Sequence, residues 1–320
     1  MLKSVFVLRK FFSVIISMFL FMSSAVPAAY APLDKDELKL SAVMLSDVHI
    51  EGNSQDHWTR FGETLAGAFS AKKTPDVIAF AGDQTMNSQW IEWFDFYGLL
   101  NRFNKGSKVV MAMGNHDFGN NADHDTYVEL ADRAISCLNG YTGSNVKNVY
   151  HTRTVKGYTF IVMGADDNAE NLVQVISDEQ VEWLEGELAK VAAEGKPAFV
   201  INHNLLYGKN GSRSRYSFNQ TTNNDKIVAA LENCGTDVFY FCGHSHYGVN
   251  SGTVNTEGRV TYINLPSAGT DPNHDADDAC AAYGIGCDME VYENTVELRF
   301  RNFAKGEWLE DHQYSVEIGK

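Results

Sequence analysis

The chain has 320 residues, of which 44% are hydrophobic, 21% charged and 12% aromatic, and its formal net charge is −15 at pH 7. This composition excludes a disordered chain, and the length allows one large domain or two ordinary domains with a sizeable core. The acidic balance disfavours nonspecific binding to nucleic acid or to an anionic membrane, so a phosphate-bearing ligand needs a local cationic feature.

The first 28 residues have the pattern of a targeting segment. Lys3, Arg9 and Lys10 precede an apolar run of 12 residues, Phe11–Met22, and small residues follow it. The apolar run is short for a membrane-spanning helix. We therefore expect residues 1–28 to be a cleaved signal peptide, residues 38–318 to form the folded domain, and the protein to be secreted or periplasmic. An uncleaved segment that anchors the protein to the membrane is the alternative.

The sequence has five cysteines, so an exported form of the chain keeps at least one unpaired thiol. Cys280 and Cys287 are close in sequence and are the best candidates for a disulfide. Cys242 ends an apolar run and is expected to be a buried thiol. No CxxC pair is present, which argues against a cysteine zinc site or a redox site.

Seven apolar runs recur along the chain, and each ends in a polar cluster. They are near-continuous rather than alternating, which is typical of strands that are buried on both faces of a sheet. In chain order they read LKLSAVMLSDVH, DVIAFAGDQ, KVVMAMGNHD, YTFIVMGADD, PAFVINHN, DVFYFCGHSH and RVTYINLPSAG.

Helical patterns precede the second, third, fifth and sixth of these runs. They read WTRFGETLAGAFSAK, QWIEWFDFYGLLNRF, SDEQVEWLEGELAKVAAEG and NNDKIVAALENCG. In the third helix, Ser177 is the expected N-cap, Gln180 its capping-box partner and Gly195 the stop. The alternation of strands and helices predicts an α/β sheet. Near the C-terminus, ENT between two alternating runs predicts a hairpin in a second, more antiparallel sheet of the same domain.

Polar residues that could form a site follow the apolar runs. In α/β sheets, ligand sites gather at the carboxyl ends of the strands. Asp-x-His at 47 and 49 and His-x-His at 244 and 246 would each place both side chains on the same side of an extended segment. The strand ends carry five of the ten histidines together with Asp and Asn side chains: Asp47, His49, Asp83, Asn115, His116, Asp117, His203, His244 and His246.

These residue types are metal ligands. Mixed His, Asp and Asn donors suit Zn, Fe or Mn better than Ca or Mg, which prefer shells of oxygen. Seven such groups exceed the three or four that one catalytic zinc needs, so the count favours two metal ions. Taken singly, Asp47 and Asp83 could instead cap turns, His203 could be a satisfied core histidine, and Asp117 could have a simple turn role.

Five short motifs occur in a fixed order: D-x-H (Asp47–His49), G-D (Gly82-Asp83), G-N-H-D (Gly114–Asp117), H (His203) and G-H-x-H (Gly243–His246). In this order and spacing the chain resembles the calcineurin-like metallophosphoesterase superfamily. The resemblance implies an α/β fold in which a two-sheet β-sandwich is flanked by helices in four αββα layers. It also implies phosphoester hydrolysis with two divalent or trivalent transition-metal ions, Mn, Fe or Zn.

The resemblance implies a role for each motif residue. A hydroxide between the metals would be the nucleophile. His116 would lie over the phosphate and protonate the leaving alkoxide, Asp117 would orient His116 by a hydrogen bond, and Gly114 would let the strand end turn tightly. The implied metal ligands are Asp47, His49 and His246 for the first ion, Asn115, His203 and His244 for the second, and Asp83 as the bridge.

Two positions weaken the resemblance to particular branches of the superfamily. Purple acid phosphatases have a metal-binding Tyr where this chain has Met86, and pyrophosphatases of the lipid A pathway have Arg where it has His116. The cyclic-nucleotide phosphodiesterase-like and general phosphoesterase branches are closer, and the metal motifs do not separate them. Substrate choice is expected to lie in four loops: Asn53–Trp58, Phe118–Tyr127, Asp166-Asp167 and Tyr207–Asn224.

These features favour an exported, dimetal-dependent phosphoesterase that hydrolyses a small-molecule phosphomonoester or phosphodiester. No nucleic-acid-binding surface is expected, nor any stable membrane association if the signal peptide is cleaved, and the oligomeric state is left open. The alternative from another class is a non-catalytic secreted protein that keeps the fold for binding or adhesion. The presence of every motif residue, His116 included, argues against that alternative.

Overall fold

A computed structural model describes residues 37–52, 54–70, 74–119, 122–168, 173–209, 221–270 and 282–319. The expected signal peptide, Cys280 and most of the loop Tyr207–Asn224 lie outside these residues. Within the described ranges, no helix combines the length and the apolar character that crossing a bilayer requires.

Helices and strands alternate along most of the described chain. The α-helices are α1 (Gln55–Ala68), α2 (Trp90–Phe103), α3 (His124–Thr142), α4 (Asp178–Ala193) and α5 (Asn224–Asn233). The first strands are β1 (Leu40–Leu45), β2 (Val77–Ala81), β3 (Lys108–Ala112), β4 (His151–Val155), β5 (Tyr158–Val162), β6 (Asp167–Asn168) and β7 (Gln174–Val175). The later strands are β8 (Ala198–Ile201), β9 (Val238–Cys242), β10 (Val254–Glu257), β11 (Val260–Asn264), β12 (Ile285–Val291), β13 (Thr295–Asn302) and β14 (Glu307–Glu317).

Two mixed sheets of six strands each form the centre of the domain. The first has the strand order β14-β13-β12-β1-β2-β3, and the second has the order β10-β11-β9-β8-β5-β4. Strands β1, β2 and β3 are parallel in the first sheet, and β5, β8, β9 and β11 are parallel in the second. Residues that follow β1 and β2 meet residues that follow β8 and β9, so the parallel strands of both sheets end at the same end of the domain.

Three apolar layers hold the sheets and helices together. Between the sheets, Met44, Ala79 and Val110 of the first sheet share a cluster with Phe199 and Phe239 of the second. Another layer lies between the first sheet and α1, α2 and α3, and a third lies between the second sheet and α4 and α5. The expected four-layer sandwich is confirmed. Both faces of the central strands are covered, which is why their sequences are continuous apolar runs.

Each of the seven apolar runs forms a strand, and each of the four helical patterns forms a helix. The sequence analysis did not single out α3. Its signals were present, because Asp123 caps the first turn by accepting a hydrogen bond from Thr126 N and Gly143 ends the helix in the left-handed conformation. It also missed β4 and β10, whose half-exposed side chains form no continuous apolar run.

Two local expectations are corrected by the structure. Strands β12 and β13 form the expected hairpin, but β12 pairs with β1 and extends the first sheet instead of belonging to another one. Ser177 caps α4 as expected, because its hydroxyl accepts a hydrogen bond from Gln180 N at 3.1 Å. The Gln180 side chain donates to Gly164 O and to Asp166, so it does not complete a capping box.

The cysteines in the described part of the chain are free thiols. Cys242 is buried at the end of β9, as expected. Cys287 lies in β12 and belongs to the apolar cluster between the two sheets. Its expected disulfide partner, Cys280, lies outside the described residues.

Strands β12 and β13 bury an ion pair on their outer face. Arg301 Nε lies 2.7 Å from Asp288 Oδ2, and the two side chains are 1% and 6% exposed. Burial raises the pKa of Asp288 to about 6, against the opposing effect of Arg301. The guanidinium also lies over the rings of Phe303 and Trp308. Removing one partner of so buried a pair leaves the other charge without compensation.

Replacing Arg301 with leucine should lower the free energy of unfolding by about 3–5 kcal/mol, because the Asp288 carboxylate would stay buried without its ion-pair partner. The loss should be smaller at about pH 5 than at about pH 8, since protonation of Asp288 removes the uncompensated charge. Urea unfolding at both pH values measures the two effects. The double variant Arg301→Leu/Asp288→Leu should recover most of the stability. If it is as unstable as the single variant, lost packing dominates and the charge argument is wrong.

Candidate metal centre

The seven expected ligands lie together at the carboxyl ends of five strands. The site lies between the two sheets because β1, β2 and β3 belong to the first sheet and β8 and β9 to the second. Four of the ligands are at most 1% exposed: Asp47, His49, Asp83 and His203.

One group of donor atoms is formed by Asp47, His49 and His246. His49 Nε2 lies 2.9 Å from His246 Nε2, and His246 Nε2 lies 3.1 Å from Asp47 Oδ1. His49 Nε2 is also 3.8 Å from Asp47 Oδ1 and 3.6 Å from Asp83 Oδ2. These four side chains could hold a metal ion. We refer to Asp47, His49 and His246 as the first group.

A second group of donor atoms surrounds His203 Nε2. Asp83 Oδ2 lies 3.1 Å from this nitrogen, Asn115 Oδ1 lies 3.2 Å from it, and His244 Nδ1 also lies 3.2 Å from it. Asp83, His203 and His244 could hold a metal ion, and Asn115 adds an amide oxygen. We refer to Asn115, His203 and His244 as the second group.

Asp83 Oδ2 lies next to both groups. The other carboxylate oxygen, Oδ1, accepts a hydrogen bond from His116 N at 2.9 Å, which fixes the orientation of the side chain. Oδ2 is buried and has no hydrogen-bond donor among the described residues. A buried carboxylate oxygen of this kind is stable only beside positive charge. The position of Oδ2 would therefore suit a ligand shared between two cations.

The electrostatics of the centre also fit bound cations. Burial alone would raise the pKa of Asp47 and Asp83, but the charges of His246 beside Asp47 and of His203 beside Asp83 hold both below their usual range. Burial alone would lower the pKa of His203, but Asp83 and Asp47 raise it to about 9. The carboxylates thus draw positive charge into the site. Bound metal ions would supply that charge in place of protons, and the nitrogen and oxygen donors would suit Zn, Fe or Mn.

The backbone is in an uncommon conformation at five of the ligands. Asp47, His49, Asp83, His244 and His246 have φ between 51° and 65°, a left-handed region that costs non-glycine residues roughly 1–3 kcal/mol each. The expectation of extended segments was therefore wrong, although Asp47 and His49 do direct both side chains to the same group. The left-handed backbone directs His244 to the second group and His246 to the first. Such residues cluster where the surrounding structure imposes a functional geometry.

Two motif glycines allow strand ends to approach the ligands closely. A methyl group at Gly114 would overlap the Asp83 carboxylate, and a methyl group at Gly243 would overlap Asp47 and Ser46. Gly114 was expected to permit a tight turn, and the chain does turn there, because Asp117 N donates to Gly114 O at 3.1 Å, although Gly114 does not have a positive φ. Its function is to leave room for Asp83.

Neighbouring groups orient the imidazole ligands. His203 Nδ1 lies 2.8 Å from Ala81 O, and His246 Nδ1 lies 3.1 Å from Thr270 Oγ1. These contacts turn Nε2 of each ring toward the centre, as outer hydrogen bonds do at metal sites. His57 Nδ1 hydrogen-bonds the backbone carbonyl oxygen of His49. The sequence analysis missed Thr270 and His57, because neither lies in a motif and only the fold brings them to the centre.

His116 lies at the edge of the first group. Its ring centroid is 4.7 Å from that of His49, and the two rings are nearly perpendicular. His116 Nδ1 lies 2.8 Å from the backbone carbonyl oxygen of Met86. The hydrogen-bond partner that orients His116 is thus a main-chain group and not the expected carboxylate of Asp117.

Asp117 joins two segments of the backbone. Its carboxylate accepts hydrogen bonds from Gly114 N, Gln84 N and Thr85 N, and from the Thr85 hydroxyl group. Burial, together with the charge of Asp83, raises the pKa of Asp117 to about 7. The expectation that Asp117 orients His116 was wrong, because the short 3₁₀ helix His116–Phe118 directs the Asp117 side chain toward the residues that follow β2.

A fully buried glutamate, Glu92, fixes the loop that carries Met86. Its carboxylate accepts hydrogen bonds from Asn87 N and Gln89 N at 2.9 Å and from Gly52 N at 3.2 Å. It therefore ties the segment after His49 to the segment after Asp83. The pair of Gln89 and Glu92 forms a capping box at the start of α2, a signal that the sequence analysis did not use.

The substitution Glu92→Ala should lower the free energy of unfolding by about 2–3 kcal/mol, because three backbone N–H groups would lose their acceptor. Glu92→Gln keeps one acceptor oxygen and should cost less. Chemical denaturation of both variants tests this order. Glu51→Ala is the matched control, since Glu51 is an exposed glutamate next to Gly52, on the segment after β1 that Glu92 contacts. Equal losses for Glu51→Ala and Glu92→Ala would contradict the role given to Glu92.

The expected substrate loops have mainly structural contacts where the structure describes them. Asp166 accepts hydrogen bonds from Ser177 N at 2.7 Å and from the Gln180 side chain at 2.8 Å. Asp167 pairs with the exposed His124 at 2.9 Å. Phe118 and Tyr127, the ends of another expected loop, are buried and lie against each other.

Comparison with known proteins assigns the family. The family model described as calcineurin-like phosphoesterase matches residues 40–248, a range that includes every expected ligand. The chain belongs to the calcineurin-like phosphoesterase family. The two groups around Asp83 therefore form a candidate binuclear metal site in a family of phosphoester hydrolases.

One curated relative is similar to part of this family member. It is a probable cyclic nucleotide phosphodiesterase from Rhodococcus erythropolis, which is 28% identical over 160 residues. The alignment covers 48% of this chain and 48% of the relative, so the chain spans about half the length of the curated relative that it matches.

Two solved structures share the fold. A dimetal phosphatase from Danio rerio has a TM-score of 0.63 and 12% sequence identity, with 88% of this chain and 99% of that chain covered. Purple acid phosphatase PPD1 from yellow lupin (Lupinus luteus) seeds has a TM-score of 0.64 and 13% identity, with 91% of this chain and 55% of that chain covered. At these identities the similarity concerns the fold alone.

Proposed function

We propose that this family member is an exported, dimetal-dependent phosphoesterase that hydrolyses a small-molecule phosphomonoester or phosphodiester. The observation that carries the proposal is the position of Asp83 Oδ2 between two groups of buried and half-buried ligands, with His116 at their edge. The first group would hold one ion, the second group would hold the other, and Asp83 would contact both.

His116 is the residue placed for proton transfer. When bound, two such ions would lower the pKa of water and offset the charge on the attacking and leaving oxygens of the ester. Because His116 Nδ1 donates its proton to the Met86 carbonyl oxygen, Nε2 is the atom that can gain or lose a proton. A protonated Nε2 would donate to the leaving oxygen, as a general acid does.

The substrate class and the export are supported by different observations. The Rhodococcus relative carries the name of a phosphodiesterase, which favours a diester among the two substrate classes. Export is supported by the basic residues and the apolar run Phe11–Met22 that precede the folded domain.

Metal loading should determine activity. We expect about two ions per chain after incubation with Mn, Zn or Fe, and hydrolysis that is lost on chelation, because the donor set divides into two groups. Elemental analysis gives the metal content. Assays with para-nitrophenyl phosphate and its bis-ester give the ratio of monoesterase to diesterase activity. Two ions without turnover on either ester would favour the non-catalytic binding protein, and no bound metal would contradict the site.

The substitution His116→Ala should lower turnover by roughly 10²–10⁴-fold while two ions remain bound, because His116 transfers a proton and does not hold a metal in this scheme. Parallel measurements of turnover and metal content separate these roles. His312→Ala is the matched control, since His312 lies in β14, outside the metal centre. Loss of an ion in the His116 variant would make His116 a ligand instead. Unchanged turnover in the His116→Ala variant would show that His116 does not act as the general acid.

A further inference from the structure

A group of basic side chains lies at the end of the domain opposite the metal centre. Lys105 precedes β3, Lys108 begins β3, Arg153 lies in β4, and Lys156 lies in the turn between β4 and β5. They line one surface cavity of about 520 Å³ together with Asp76. We refer to these four basic residues as the basic end.

The side chains of the basic end contact fewer carboxylates than the other lysines and arginines of the described chain do. Elsewhere most lysines and arginines of the described chain contact a carboxylate, as Lys190 does with Glu187 and Lys226 with Asp178. In the basic end, Lys156 lies 2.7 Å from Asp76. The side chains of Lys105, Lys108 and Arg153 have no ion pair or hydrogen bond within the described ranges. In a chain with a net charge of −15, three adjacent uncompensated cations form a local exception.

The position of the basic end follows from the sheet topology. Lys108 pairs with Val77 at the start of β2, and Val77 pairs with Ala42 near the start of β1. Adjacent strands are about 4.8 Å apart, so β1 begins roughly 10 Å from β3. The chain that precedes β1 therefore enters the fold beside the basic end, and it carries the apolar run Phe11–Met22 if that segment is kept as the membrane anchor that the sequence also allows. The metal centre lies at the opposite ends of the same strands.

We propose that the basic end is a docking surface for an anionic lipid bilayer and that the metal centre faces away from the bilayer. The overall negative charge does not prevent this contact, because at about 0.1 M salt charges more than about 10 Å away are largely screened. Near an anionic membrane, each basic residue contributes about fivefold to binding. A substrate would then enter from the aqueous side. This inference does not depend on the proposed hydrolytic function.

Vesicle binding by the full chain tests the proposal. Flotation with phosphatidylcholine vesicles, with and without phosphatidylglycerol, gives the preference for anionic lipid at about 0.1 M salt and at higher salt. Lys105→Gln/Lys108→Gln/Arg153→Gln should reduce this preference by roughly 100-fold at about 0.1 M salt. The matched control Lys190→Gln/Lys226→Gln/Lys305→Gln changes the net charge by the same amount and should keep the preference for anionic lipid. Lys3, Arg9 and Lys10 are the same in all three proteins, so their contribution cancels.

Three outcomes would overturn the proposal. The first is an equal preference for anionic lipid in all three proteins, and the second is an equal loss in both triple variants, which would indicate net charge alone. The third is tighter binding of wild type to a single-stranded oligonucleotide than to anionic vesicles, lost in the first variant, which would indicate a nucleic-acid surface. Thermal unfolding checks that the variants fold. If the first triple variant is unstable, the single variants Lys105→Gln and Lys108→Gln replace it, and each should reduce the preference for anionic lipid about fivefold.

Discussion

The site depends on the contacts that the buried carboxylate of Asp83 makes with its neighbours. A buried negative charge requires positive charge beside it, and the fold supplies this from both sheets. His49 approaches Asp83 Oδ2 from the end of β1, and His203 approaches it from the end of β8, in the other sheet. Oδ1 meanwhile holds the backbone of His116. One side chain thus sets the relative positions of both ligand groups and of His116.

The uncommon backbone at the ligands requires support from outside the centre. Five left-handed residues in so small a region are unfavourable in isolation, and buried polar groups hold the segments that contain them. Asp117 joins the segment after β2 to the segment after β3, and Glu92 joins the segments after β1 and β2. Both carboxylates accept hydrogen bonds from backbone N–H groups and contact no member of the two ligand groups through their side chains. Their function is to fix positions.

The fold class and the ligand positions could be predicted because they rest on patterns along the chain. Strands buried on both faces leave continuous apolar runs, and the ligands follow directly after those runs. The contacts across the fold could not be predicted in this way. Asp117 adjoins His116 in sequence and is therefore its expected partner, yet the observed partner is the backbone carbonyl group of Met86, a group that every residue type has. Left-handed φ at Asp or His has no marker in the sequence either, so the extended geometry assumed for both paired motifs was wrong.

The close approach of backbone and ligands at Gly114 and Gly243 has a consequence for metal exchange. Main-chain atoms abut the carboxylates of Asp83 and Asp47, so these ligands cannot retreat to enlarge the site. The spacing of the two groups is set by packed strand ends and not by adaptable rotamers. Bound metals of similar radius would therefore replace one another without remodelling the protein, and the preference among them would depend on donor chemistry and on supply.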